Sequence, residues 1–156
     1  MNLAIIPARA GSKRIKNKNI VNFFGKPLIY NSIKIAIKSK LFDDVIVSTD
    51  SIKIQKIALK YGAKVYFKRP KSLSGDHTGT PSVINHAIKW VQKNLYNPIY
   101  VCCIYPTAVS LNETDIINAY KKIKTNKFNF VFPVNKYSHP PQRGFNLTSD
   151  NRINFK

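Results

Sequence analysis

The residues best suited to chemistry lie in one short run, Ile5 to Asn19, which reads IIPARAGSKRIKNKN. It carries five cations, Arg9, Lys13, Arg14, Lys16 and Lys18, around Gly11 and Ser12. Apolar residues that stop at Pro7 and give way to small and basic ones predict a buried strand opening into a positively charged loop. Backbone N–H groups of such a loop can point at an anion while Arg or Lys neutralises it, so the expected chemistry is phosphate binding. A duller use of the same residues stays open: Arg9 pairing with Asp50 at a neighbouring strand end.

Other chemistries are disfavoured. The chain has no GxxxxGK[ST] and no GxGxxG, which excludes a P-loop and leaves Gly11 alone as weak support for a dinucleotide site. It has no D-x-D, which argues against metal-dependent glycosyl transfer. His77, His86 and His139 lack the spacing of metal ligands; His86 falls off the apolar face of its helix and is expected in water. Cys102 and Cys103 are adjacent, and neighbours on a strand face opposite ways, so a bridge between them would be strained. They read as two reduced thiols in a core strand.

The elements that must position the loop alternate. Leu3 to Ile6 reads as a strand. A helix follows with Pro27 in its first turn and Ile29, Ile33, Ala36 and Ile37 at helical spacing. Val45 to Ser48 is a strand, then a helix carries Ile54, Ile57, Ala58 and Tyr61 on one face and stops at Gly62. Lys64 to Phe67 is expected as a third strand and residues 71–79 as a loop. Thr80 is expected to cap a helix whose first residue is Pro81 and whose inner face is Ile84, Ala87, Ile88 and Val91. Ile99 to Ile104 is the longest apolar run and reads as a central strand covered on both sides. Asn112 and Asp115 form a capping-box pattern ahead of Ile116, Ala119, Tyr120 and Ile123. Phe130 to Val134 is a predicted fifth strand, and residues 144–155 two short strands about Ser149-Asp150-Asn151. Strand–helix alternation predicts an α/β fold with a mostly parallel sheet, and ligands beyond the carboxyl ends of its strands. The opening loop, Asp50, Arg69 and Tyr105 to Thr107 all fall at such ends.

At 156 residues and 44% hydrophobic content, one domain over 1–156 is expected. No apolar run approaches the roughly 20 residues of a membrane helix, and MNLAIIPAR lacks a basic n-region, so a cytoplasmic protein is expected. The formal charge of +19 invites a nucleic-acid reading, but 21 of the 26 cations are Lys, scattered along polar helix faces. The five Arg are placed otherwise: Arg9 and Arg14 in the loop, Arg69 and Arg143 near prolines, and Arg152 close to the end. A planar guanidinium fork suits phosphate or carboxylate.

IIPARAGSKRIKNKN followed by GKPLI resembles the opening of the cytidylyltransferases that activate acidic nine-carbon sugars. VSTD at 47–50, FKRP at 67–70, LSGDHTGT at 73–80 and IYPTA at 104–108 continue the match in order. Within that family CCIYPTA, HTGT and PPQRGF are more similar to the pseudaminic acid branch than to the N-acylneuraminate branch, which usually has Gln in place of Tyr105. The resemblance implies a Rossmann-like nucleotidyltransferase fold, a three-layer sandwich, with CTP and an acidic nine-carbon sugar as partners, Mg²⁺ as cofactor and a homodimer. It implies that Ala8, Arg9, Gly11 and Ser12 wrap the CTP phosphates, and that Lys18 and Asn19 complete the nucleotide site. Arg9 and Lys18 would stabilise charge during transfer. Arg69, Thr78 and Thr80 would hold the cytidine side. Tyr105, Pro106 and Thr107 would face the sugar, with Gln142 and Arg143 reaching its carboxylate or acyl groups.

Three departures stand out. Lys16 replaces a usual Pro, and Val109-Ser110 replaces a usual Pro-Phe or Pro-Leu. Family members also run further and carry a Mg²⁺-holding aspartate pair in their last third, so a C-terminally truncated member is expected. Asp50 and Asp76 are the loop carboxylates near the implied site, and Asp50 is the metal candidate among them. A non-catalytic nucleotide-binding remnant, and a basic nucleic-acid-binding domain, remain the alternatives.

Overall fold

The computed structural model describes residues 1–138, 144–150 and 152–155. They fall into two compact units, Met1–Lys121 and Lys122–Lys156. In the first, β1 (Asn2–Pro7) is flanked by β4 (Asp44–Ser48) and β5 (Tyr100–Cys103) in a parallel sheet of order β4-β1-β5. Leu3 pairs with Asp44 on one side and Val101 on the other, and Pro7 with Ser48.

The alternation of β1 builds two hydrophobic layers. Ala4 and Ile6, with Val45 and Val47, pack against α1 (Ile29–Lys38), α2 (Ile52–Lys60) and α4 (Glu113–Ile123) through Ile29, Ile33, Ile54, Ala58 and Ile116. Leu3, Ile5 and Ile46 turn to the opposite face and meet α3 (Thr80–Asn94) through Ala87 and Val91. Helices on both sides of a parallel sheet make the α/β sandwich that the alternating pattern predicts. No described helix is long and apolar enough to cross a membrane.

Local signals explain the helix ends. Ser51 accepts the Ile54 N–H at the start of α2 (3.4 Å), and Gly62 ends it at φ +88°, a conformation that costs glycine little. Asn112 and Asp115 cap α4 reciprocally, each side chain accepting the other's backbone N–H at 3.0–3.1 Å.

Several expectations are corrected. Pro27 lies in β3 (Lys26–Pro27), paired with β2 (Asn22–Phe23), and α1 begins two residues later. The turn between them puts Phe24 and Gly25 at φ +49° and +79°, the sign a two-residue hairpin requires. The cap of α3 is Gly79, and Thr80 is already helical. Lys64 to Phe67 is not a laddered strand: its one β-bridge to the sheet among the described residues is the parallel Ile46–Lys64, and the next, Thr49–Lys68, falls just past it. Tyr66 and Phe67 both turn to Trp90 (ring centroids 5.4 and 5.5 Å), which consecutive residues of a pleated strand cannot do. The central strand is β1; β5 is an edge strand among the described residues, with Cys102 half-buried and Cys103 exposed. The two thiols are free, and burial pushes Cys102 up to about 11. His86 is half-buried rather than fully in water: it lies edge-on to Phe67 (4.9 Å), its Nδ1 is buried, and burial lowers its pKa.

In the second unit β6 (Phe145–Leu147) and β7 (Ile153–Phe155) form the expected antiparallel hairpin. Phe130 to Val134 is not a strand, since it has no ladder partner among the described residues. His139 lies outside the described residues.

At the amino end of the sheet, Asp44 is buried and collects three donors: the Lys64 ammonium, Tyr66 Oη at 3.2 Å and Tyr96 Oη at 3.0 Å. The Asp44 bond raises the Lys64 pKa, and burial followed by the Asp44 bond raises that of Tyr96. Both groups therefore hold their protons more tightly folded than unfolded. Their stabilisation is complete below the ordinary values of 10.0 and 10.5 and is lost as pH rises through the raised ones. Urea midpoints compared at about pH 8 and about pH 11 should fall at the higher pH, and more steeply in wild type than in Tyr96→Phe.

Candidate active site

Beyond the carboxyl ends of β1, β4 and β5 lies a cleft of about 670 Å³. The loop after β1 gives it Arg9, Ser12, Lys13, Arg14 and Ile15, and a 3-10 turn (Lys18–Ile20) adds Lys18 and Asn19. Arg69, Asp76, Thr78, Thr80 and Val83 form one wall, and Tyr105, Pro106 and Thr107 another, with Pro7 beneath.

The loop is pinned internally. Ala8 N–H donates to Ser48 O (2.9 Å), extending the β1–β4 ladder, and Ser12 N–H donates to Ala10 O (2.8 Å). Ala10 N–H donates to Asp50 Oδ1, and Asn19 Nδ2 donates to Arg9 O, both at 2.9 Å. Asn17, at φ +55°, turns the chain into the 3-10 segment. Because Ala8, Ala10 and Ser12 spend their N–H groups inside the fold, side-chain cations rather than these amides are what the loop presents to an anion. Asn19 is itself buried and acts on the loop backbone.

Arg69 is 4% exposed. Its Nε donates to Ser48 Oγ (3.1 Å) and its Nη2 to Ser48 O, which fixes the guanidinium at the floor of the cleft. Burial lowers its pKa, Asp50 opposes that, and Arg9 adds to it. An arginine stays charged under such pressure. Arg9 does not pair with Asp50; its Nη1 is 2.8 Å from Asp76 Oδ1, and Lys13 Nζ is 2.5 Å from Asp76 Oδ2. The Lys13 and Arg9 bonds hold the Asp76 carboxyl below its usual range. On the opposite wall Tyr105 Oη donates to Thr80 Oγ1 (2.9 Å), and the buried Ser32 hydroxyl anchors Tyr105 O (2.9 Å).

The cleft thus brings together Arg9, Ser12, Lys18, Asn19, Arg69, Thr78, Thr80, Tyr105, Pro106 and Thr107. Ala8 is in the hydrophobic core instead, and Gly11 is exposed, with open space where a Cβ would go. Gln142 and Arg143 lie outside the described residues. Sequence reasoning missed Pro7, Lys13, Arg14, Ile15 and Val83 as lining; Lys13 and Arg14 were visible only as members of a basic run. Five cations face one carboxylate across the cleft, a balance suited to a polyphosphate.

The described carboxylates do not fit Mg²⁺. Both oxygens of Asp76 are taken by cations, and Asp50 holds the Ala10 amide and does not line the cleft. No group of three His, Cys, Asp or Glu able to hold a metal occurs among the described residues.

A family model described as cytidylyltransferase matches residues 3–146. A pseudaminic acid cytidylyltransferase of Campylobacter jejuni subsp. jejuni serotype O:2 is 46% identical over 154 residues, 97% of this chain and 66% of its own length. An N-acylneuraminate cytidylyltransferase of Escherichia coli O18:K1:H7 is 36% identical, over 90% of this chain and 32% of its own length. The chain therefore spans less than two thirds of either relative. Among solved structures, a CMP:2-keto-3-deoxy-manno-octonic acid synthetase complexed with CTP superposes with a TM-score of 0.65 at 21% identity, covering 80% of this chain and 48% of the other; this supports the fold. The chain belongs to the cytidylyltransferase family.

Proposed function

We propose that this protein transfers the cytidylyl group of CTP to pseudaminic acid, with an N-acylneuraminate as the next choice of acceptor, releasing pyrophosphate. The observation that carries this reading is the cationic cleft: Arg9, Lys13, Lys18 and the immobilised Arg69 converge where the sheet ends. The Campylobacter relative's name supplies the sugar.

In this reading a sugar hydroxyl oxygen bonds to the α-phosphorus as the bond from that phosphorus to the β-bridging oxygen breaks, and the hydroxyl proton leaves to water. Negative charge grows on phosphate oxygens, so fixed cations lower the barrier more than any covalent group could. Arg9 and Lys18 take that part. Arg69, Thr78 and Thr80 hold the cytidine side, Tyr105, Pro106 and Thr107 face the sugar, and the Thr80–Tyr105 hydrogen bond joins the two walls. A CTP-consuming reaction suits the cytoplasm.

The test is pyrophosphate release from CTP with pseudaminic acid or N-acetylneuraminic acid, each with and without Mg²⁺. Sugar-dependent release, faster with pseudaminic acid, is the expected result. Saturable CTP binding without turnover under every condition would favour a nucleotide-binding role alone, a reading in keeping with the pairing of Asp76, the cleft carboxylate among the described residues, with Arg9 and Lys13. Nucleic-acid binding that outcompetes CTP and falls steeply with salt would overturn both.

A further inference from the structure

Asp76 supplies the one carboxylate that lines the cleft among the described residues, and it sits against two of the cations there. It rides on the loop between Arg69 and α3, whose own bonds are short-range: Ser74 Oγ donates to Pro70 O (3.0 Å) and Thr78 N–H to Gly75 O (3.4 Å). Among the described residues, the ion pairs joining this loop to the β1 loop are those of Asp76 with Arg9 and Lys13. Each oxygen of the carboxylate takes one cation, as two oxygens of a phosphate would.

We propose that Asp76 is an internal anion of the phosphate seat, displaced by the incoming phosphates, so that only a multiply charged anion takes Arg9 and Lys13 from it. This rests on the nucleotide reading above and adds a selectivity residue to it. When empty, the seat keeps its cations ordered and resists single charges. A triphosphate or pyrophosphate offers enough charge to replace the carboxylate, whereas a lone carboxylate or a phosphodiester does not.

The full chain decides the matter by separate calorimetric titrations with inorganic pyrophosphate, dimethyl phosphate and CTP, in EDTA so that no divalent cation bridges the anions. Asp76→Asn and Asp76→Ser, checked for folding by circular dichroism, should bind pyrophosphate about tenfold more tightly than wild type. Their preference for pyrophosphate over dimethyl phosphate should shrink. A residue that merely ordered the loop would move affinity the other way. Equal or weaker pyrophosphate binding in folded variants, with wild type still binding pyrophosphate and CTP, overturns this inference alone. Failure of wild type and both variants to bind pyrophosphate or CTP at millimolar concentration overturns the nucleotide reading along with it.

Discussion

Arg9→Ala will slow pyrophosphate release from CTP by about 100- to 1000-fold while leaving the circular dichroism spectrum and melting temperature close to wild type. The guanidinium reaches into the cleft and touches Asp76, while the buried packing at this point of the chain belongs to Ala8. Its removal therefore takes away a donor at the phosphates and leaves the core intact. It also leaves Asp76 with Lys13 as its remaining partner, so more negative charge faces the nucleotide. Arg9→Lys should restore only part of the rate, because a compact ammonium lacks the planar fork with which a guanidinium can meet two phosphate oxygens. Steady-state turnover near wild type in Arg9→Ala would remove Arg9 from the reaction.

The second large effect lies at the opposite end of the sheet. Asp44→Ala should cost about 2–4 kcal/mol of stability, a value lowered because Lys64 is half-exposed, and should lower the melting temperature by roughly 6–12 °C. The cost arises because Tyr96 and Tyr66 lose their acceptor in a partly buried setting and Lys64 loses its counter-charge. Below the melting transition CTP binding should be unchanged, since Asp44 begins β4 and the cleft lies beyond its last residue, Ser48. Thermal denaturation followed at 222 nm beside CTP titration separates the two readouts. A melting temperature within about 2 °C of wild type would mean that the three contacts are solvent-compensated.

What the sequence disclosed, and what it hid, follows from the range of each interaction. The opening strand, the four helices and the basic loop were readable because periodicity and composition act over a few residues. The capping of α4 was readable for the same reason. The rank of β5 in the sheet was not: apolar content signals burial but not how many neighbours a strand has. Lys64 to Phe67 looked like a strand because nothing local reveals that Tyr66 and Phe67 share one aromatic partner in Trp90. The Phe24–Gly25 turn escaped because Phe is an unusual occupant of a left-handed position. In the cleft, residue types marked Arg9, Lys18 and Arg69. The pairing of Arg9 with Asp76, not Asp50, joins residues far apart in the chain and emerges only in three dimensions.

β1 runs without interruption from two hydrophobic layers into the loop that carries Arg9. Protein engineers seeking altered substrates thus inherit a division of labour. Substitutions in Leu3 to Ile6 would trade away foldedness before they changed selectivity. The segment 71–79, outside both hydrophobic layers and joined to the β1 loop by the Asp76 ion pairs, is where a library can be randomised with the scaffold held constant.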